Sequence, residues 1–204
     1  MNKGRRAARR AAIGGAVLAA AVLGSPAALA ADRGAAADMP GFLEPSDLPP
    51  DPFSAWYFSS FPTDGPYWPL CVTSALPDSD VWHATYSTPE TAGAAQLSVT
   101  LPTEAEAVET AARFEGEVRG CKQRMEQEDP NRPVTFWDHG GLDVEEGAHA
   151  YGLGFQGGWG YQNQLISVGR DGRTVTVVTW ESNWGDPPVD AFKGTTRTAV
   201  NKLH

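Results

Sequence analysis

The stretch Leu165–Trp180, LISVGRDGRTVTVVTW, sets an Asp171–Gly172 pair between two runs in which β-branched and polar residues alternate. Alternation of this kind is the period of a β-strand, and Asp-Gly is among the strongest two-residue signals for a hairpin turn. A loop built from Asp171 and Gly172 pairs Val168 with Val175, Ile166 with Val177, Gln164 with Thr179 and Asn163 with Trp180. Successive side chains of a strand point to opposite sides, so the register sorts residues into faces. Ile166, Val168, Val175 and Val177 make one apolar face, while Tyr161, Asn163, Leu165, Val178 and Trp180 share the other. The second set joins aromatic bodies to polar ends, the composition of a small binding surface and equally of a half-exposed sheet face.

The residues just upstream, YGLGFQGGWGYQNQL from Tyr151, continue the pattern. Tyr151, Leu153 and Phe155 fall on one side of a strand, and Gly152 and Gly154 leave the other side bare. Glycine in a strand marks close approach of another group. A helix laid over the sheet is the favoured occupant, with a ligand as the alternative.

Two further strands are expected at VWHATYS, Val81–Ser87, and AAQLSVTL, Ala94–Leu101, with Pro89 and Gly93 as turn signals between them. PVTFWD and GAHAYGLGF supply two more. Thr103 followed by Glu106 has the form of a capping box, and Glu104, Glu106 and Glu109 suit the positive end of a helix dipole. Val108, Ala111, Phe114, Val118, Cys121 and Met125 then recur at steps of three or four, the spacing of one buried stripe. Gly116 and Gly120 lie inside this pattern, where each costs about 1 kcal/mol relative to Ala; close packing of a neighbour and a helix end near Gly120 both remain open. A last helix follows Pro187 and Pro188, with Val189, Phe192, Thr196, Ala199 and Leu203 as its buried positions. The segment from Pro40 to Cys71 holds eight of the sixteen prolines and eight aromatic residues, and reads as an irregular but packed stretch. The fold class is therefore α+β: an antiparallel sheet packed by two main helices.

The first residues define the compartment. Five basic residues and no acid precede an apolar run that ends at Leu23, with Pro26 and the small residues Ala28 and Ala30 behind it, the form of a secretory signal peptide over residues 1–30. The run is shorter than the roughly 20 residues a membrane helix needs, so no stable membrane insertion of the mature chain is expected. Residues 31–40 read as a disordered leader and 41–204 as a single domain. Removal of the signal takes the net charge from −9 to −14. So acidic a chain repels phosphate backbones, and no nucleic-acid partner is expected. The export route, general secretion or twin-arginine, stays open at Arg9–Arg10. Cys71 and Cys121 are the only cysteines, and in an exported chain they are most simply one disulfide.

No constellation announces catalysis. Gly-x-Ser-x-Gly is absent, both cysteines are taken by the bridge, and GLGFQGGWG lacks the helix and the Lys-Ser or Lys-Thr pair of a phosphate loop. Asp138, His139, Asp143, Glu145, Glu146 and His149 fall within twelve residues, but without metal-site spacing, and read as a solvated acidic loop. No cofactor or metal is expected, and the chain is read as a non-enzyme.

The order of elements resembles a family. The signal, FLEPSDLPP, a cysteine before the first strands, a helix carrying ARFEGEVRGC, the hairpin ISVGRDGRTVTVVTW and an amphipathic closing helix are similar to the extracellular sensor domain of the actinobacterial PknH kinases and its free-standing secreted relatives. The resemblance covers most of Phe42–Leu203. It implies helices enclosing a cleft against an antiparallel sheet, a disulfide, and non-catalytic binding of an unidentified extracytoplasmic ligand. Here no kinase and no membrane segment follow the signal. The expected partner is a small molecule or cell-envelope component, with Trp159, Tyr161, Asn163 and Trp180 as ligand-binding residues and a secreted or cell-envelope location. The alternatives are a polysaccharide or cell-wall binding module, motivated by seven tryptophans, and a secreted hydrolase using carboxylates between Asp138 and His149.

Overall fold

A computed structural model describes residues 39–77, 80–158 and 160–204. The signal segment, the leader through residue 38, and Trp159 lie outside the described residues. Seven strands form one antiparallel sheet: β1 (Tyr57–Asp64), β2 (Val81–Ser87), β3 (Ala92–Thr100), β4 (Val134–Leu142), β5 (Ala148–Gly157), β6 (Gly160–Asp171) and β7 (Thr174–Ser182), in the order β1-β2-β3-β7-β6-β5-β4. Helices α1 (Glu104–Arg119) and α2 (Cys121–Glu128) carry the chain from β3 to the far edge at β4, from which β4 to β7 meander back to the centre. Helix α3 (Val189–Asn201) follows β7.

The expected alternation sets the two faces. Leu97, Val99, Tyr151, Leu153, Ile166, Val168, Val175 and Val177 pack with Phe114, Val118 and Met125 of α1 and α2. On the opposite face Ala84, Ala94, Ala150, Leu165, Val178 and Trp180 pack with Phe192 and Ala199 of α3 and with Phe42, Leu43 and Leu48 from the chain's beginning. Burial of one such large apolar side chain contributes about 1.5–3 kcal/mol. The N-terminal segment needs polar ties as well, because it carries few regular backbone bonds. Leu43 N–H donates to Gln96 Oε1 at 2.8 Å, Tyr86 Oη–H to the Leu43 carbonyl at 2.8 Å, and Lys202 Nζ to Asp47 Oδ2 at 2.5 Å. Burial drives the Asp47 carboxyl pKa upward, but the Lys202 ammonium and the Glu44 N–H together hold it below the usual carboxylate value.

Several expectations are corrected. The β6–β7 turn is Gly172–Arg173, with Asp171 paired to Thr174, so Val168 faces Val177 and Asn163 faces Ser182. Positive φ occurs at Gly172 alone of the two loop residues (53°), which fits a turn with glycine first and not the one expected from Asp-Gly. The slip is two residues, so every side chain keeps its face. The long helix breaks at Gly120, whose φ and ψ of −81° and −5° both end α1 and begin α2. Its buried stripe starts at Ala107 and Thr110, leaving Val108 exposed. Thr103 does cap α1, accepting from Glu106 N–H at 3.2 Å. The Pro40–Cys71 stretch contains a strand, β1, at the sheet edge where Pro62 is tolerated. Phe53, Tyr57, Phe61 and Trp68, expected to be packed, are exposed.

Cys71 and Cys121 are bonded, tying the segment before β2 to the start of α2. Glu117 Oε2 accepts from Thr73 and Ser74 N–H, and Arg124 Nη2 donates to the Cys71 carbonyl at 2.8 Å, fixing the same junction. Among the described residues no helix is long and apolar enough to cross a membrane.

Candidate functional site

The α3 face of the sheet is not wholly covered. Helix α3 lies over β6 at Gly169, where Val200 occupies the space a Cβ would need. Further along, Gly152 and Gly154 of β5 are covered by neither helix nor loop but by side chains of the adjoining strands. A Cβ on Gly152 would sit 2.7 Å from His139 Nε2 and 3.4 Å from Trp137 Cε3, and one on Gly154 would meet Tyr161 Oη, with Trp137 Cη2 at 3.0 Å. The six-membered ring of Trp137 therefore spans the two glycines from the β4 side, and Tyr161 reaches over Gly154 from the β6 side. The missing side chains of β5 make room for rings, so the covering helix expected over Gly152 and Gly154 is not there; α3 lies instead over Gly169, a position for which no such cover was expected.

These rings border a cleft of about 590 Å³, within the span of about 300–1,000 Å³ usual for ligand sites. Trp137 and His139 of β4, Gly152 of β5, and Tyr161, Asn163, Gln164 and Leu165 of β6 line it, together with Asn183, Gly185, Asp186 and Pro187 of the turn after β7. Trp137 and Tyr161 remain 39% and 47% exposed there. The closing turn is held in shape from below. Asn163 Nδ2 donates to the Gly185 carbonyl at 3.1 Å, Trp184 N–H donates to Ser182 Oγ at 3.0 Å, and Gly185 takes the positive φ of 67° that the bend requires.

His139 lines the cleft from within a β-bulge. The β4–β5 register shifts between Asp138 and Gly140, which leaves His139 without a cross-strand partner on the face that alternation already gives it beside Trp137. Its Nε2 is buried without a hydrogen-bond partner. Burial first, and then the Lys193 ammonium, lower the imidazole pKa, against an opposing pull from Asp138. The ring is accordingly neutral at neutral pH.

Of the expected site residues, Tyr161 and Asn163 line the cleft together. Trp180 shares their face but is only 6% exposed, paired with Leu165 and Ala94 in the core beneath a second, smaller depression. Trp159 lies outside the described residues. Trp137, His139 and the 183–187 turn were not foreseen. The Gly140–Gly141 pair suggested that the strand ended at Asp138, whereas β4 runs on to Leu142 and only the bulge absorbs the glycines. Alternation of Trp137 and His139 against Phe136 and Asp138 was the available signal.

The acidic stretch does not form one loop. Asp138, on β4, accepts from His149 Nε2 of β5 at 2.5 Å, on the face away from the cleft. That bond, followed by the Gly140 N–H, lowers the Asp138 carboxyl pKa. The His149 ring stacks on Tyr151 at 4.5 Å, and Tyr151 Oη accepts from Arg119 at 2.9 Å. Burial, reinforced by the Glu115 carboxylate, pushes the Tyr151 hydroxyl up to about 12. Asp143, Glu145 and Glu146 sit apart, in and beside the β4–β5 turn. Among the described residues no three His, Cys, Asp or Glu side chains converge as metal ligands.

No family model matches the chain, and no curated protein matches it in sequence. In fold it is similar in part to the extracellular domain of PknH from Mycobacterium tuberculosis, with a TM-score of 0.38 and 13% identity over 60% of this chain. The matched region spans 64% of that domain's length. The likeness is one of partial fold alone.

Proposed function

We propose that the chain is an exported, non-catalytic, sensor-like domain that holds an extracytoplasmic ligand in the cleft between Trp137, Tyr161 and the 183–187 turn. The observation that carries this reading is the pair of half-exposed rings laid over Gly152 and Gly154 at the mouth of a 590 Å³ cleft. Exposed aromatic surface grouped in a concavity is characteristic of binding sites and is wasteful elsewhere. The cleft's remaining polar groups are mostly side-chain amides, suited to orienting a ligand more than to moving protons. The buried Cys71–Cys121 bridge and the signal-like N-terminus support an oxidising compartment outside the cytoplasm. The reading is tested by recording backbone and indole N–H resonances of the mature chain while a library of small polar aromatic and aliphatic fragments is added. Hits should cluster on the Trp137 indole and the Asn163 side-chain amide. Hits confined to other surfaces would refute the assignment.

A further inference from the structure

At the 183–187 turn the surface beside the cleft is concave again. A second depression of about 260 Å³, bordered by Pro52, Phe53, Trp180, Trp184 and Pro188, shares Gly185 and Asp186 with the first. The two adjoin the same turn, with Trp137 and Tyr161 lining the first and Trp184 and Phe53 lining the second. Trp184 and Phe53 are 61% and 71% exposed, and nothing in the core accounts for them.

The chemistry of the lining narrows what fits. Among the described residues no lysine or arginine borders either depression, and Asp186 stands at their junction. A phosphorylated or carboxylated ligand would meet that carboxylate and the net negative charge of the whole chain with no cation in the lining, Lys193 acting on His139 from outside it. The Asn163 and Gln164 amide N–H groups already donate to the Gly185 carbonyl and to Glu181, but a purely apolar ligand would bury their side-chain oxygens without donors, at a cost of about 1–3 kcal/mol for each unsatisfied group. A ligand with flat C–H faces and hydroxyls around its edge avoids both penalties. Its faces lie on the rings, and its hydroxyls reach amide and carboxylate oxygens at the margins. A chain-like ligand of that kind can also engage both depressions. The neutral imidazole of His139 adds no charge to the wall.

We propose that the ligand is a neutral saccharide chain, stacked on Trp137 and Tyr161 and continuing past the Gly185–Asp186 turn onto Trp184 and Phe53. This rests on the cleft being a ligand site, and the test separates the two claims. The mature chain is titrated by calorimetry and tryptophan fluorescence with neutral oligosaccharides of two to six units: β-1,4-linked N-acetylglucosamine, β-1,4- and α-1,4-linked glucose, and arabinogalactan fragments. Choline and oligogalacturonate serve as charged comparators. At least one neutral series should bind saturably, tighter with increasing length. Trp137→Ala should weaken every member by about tenfold or more, as loss of a central aromatic anchor does. Trp184→Ala should leave the disaccharide unchanged and abolish the gain from longer chains. Tyr161→Ala, at a more exposed position, is the second probe of the platform should Trp137→Ala fail to fold. Absence of binding by every neutral series, or binding indifferent to both platform variants, overturns the saccharide assignment. Choline binding that is lost in Trp137→Ala would overturn it while keeping the cleft as a site. An empty fragment screen together with no Trp137-dependent binding of any probe removes both.

Discussion

Two buried glycines on one sheet face should respond unequally to the same added methyl group. At Gly169 a Cβ would collide with Val200, fully buried on α3, and would lie 3.0 Å from the Ala148 Cβ. Neither neighbour can yield, because both are packed between sheet and helix. Overpacking of this kind costs about 1–3 kcal/mol, and the lower chain entropy of Ala returns at most about 1 kcal/mol of it. Gly169→Ala is therefore expected to destabilise by about 1–2 kcal/mol, a fall in Tm of roughly 2–8 °C for a domain of this size. At Gly154 the obstacles are Tyr161 Oη and the outer edge of Trp137, the free ends of half-exposed side chains. They can swing toward solvent, so Gly154→Ala should change stability by less than about 1 kcal/mol in either direction. The disturbance should appear instead in the Trp137 environment, as altered near-ultraviolet dichroism and changed fluorescence. Thermal and urea unfolding of the two variants, followed by far-ultraviolet dichroism, measure the contrast. Equal destabilisation by both, or an undiminished Tm for Gly169→Ala, would refute the assignment of ring cover to one glycine and helix cover to the other.

Replacing Cys71 and Cys121 by Ser releases a loop of about 50 residues and should cost roughly 4 kcal/mol in the chain-entropy account; a urea midpoint unchanged from the native protein would contradict the bridge's structural role. His139 gives a pH signature. Its folded pKa lies below the ordinary value of 6.5, so as pH falls through about 6.5 the unfolded chain takes up the proton first. Stability is then lost progressively down to the lower folded pKa, and His139→Gln should flatten the difference between urea midpoints at pH 7 and pH 5. A variant with the same pH dependence as the native chain would show that other groups carry it.

Much of the architecture could be read from periodicity, and what escaped has physical reasons. The faces of β6 and β7 were legible although their partners were not, because a slip of two residues changes every pairing and no side-chain direction. Asp-Gly named a turn but not which two residues would form it. β1 was hidden by Pro62 and by irregular pairing with β2, and the exposure of Phe53 and Phe61 was missed because apolar character alone gives no position. At the site, Tyr161 and Asn163 followed from alternation. Trp180 obeyed the same alternation yet lies where α3 and the N-terminal segment cover the sheet, a tertiary fact no strand pattern contains. Trp137 and His139 were lost because a bulge let β4 continue through two glycines that otherwise signal an end.

Native mass spectrometry of the protein recovered from the medium of secreting cells tests the cleft most directly. The native chain should carry a non-covalent adduct that Trp137→Ala, folded by circular dichroism, lacks. A bare mass for both, or the same adduct on both in equal amount, would contradict a ligand held against Trp137.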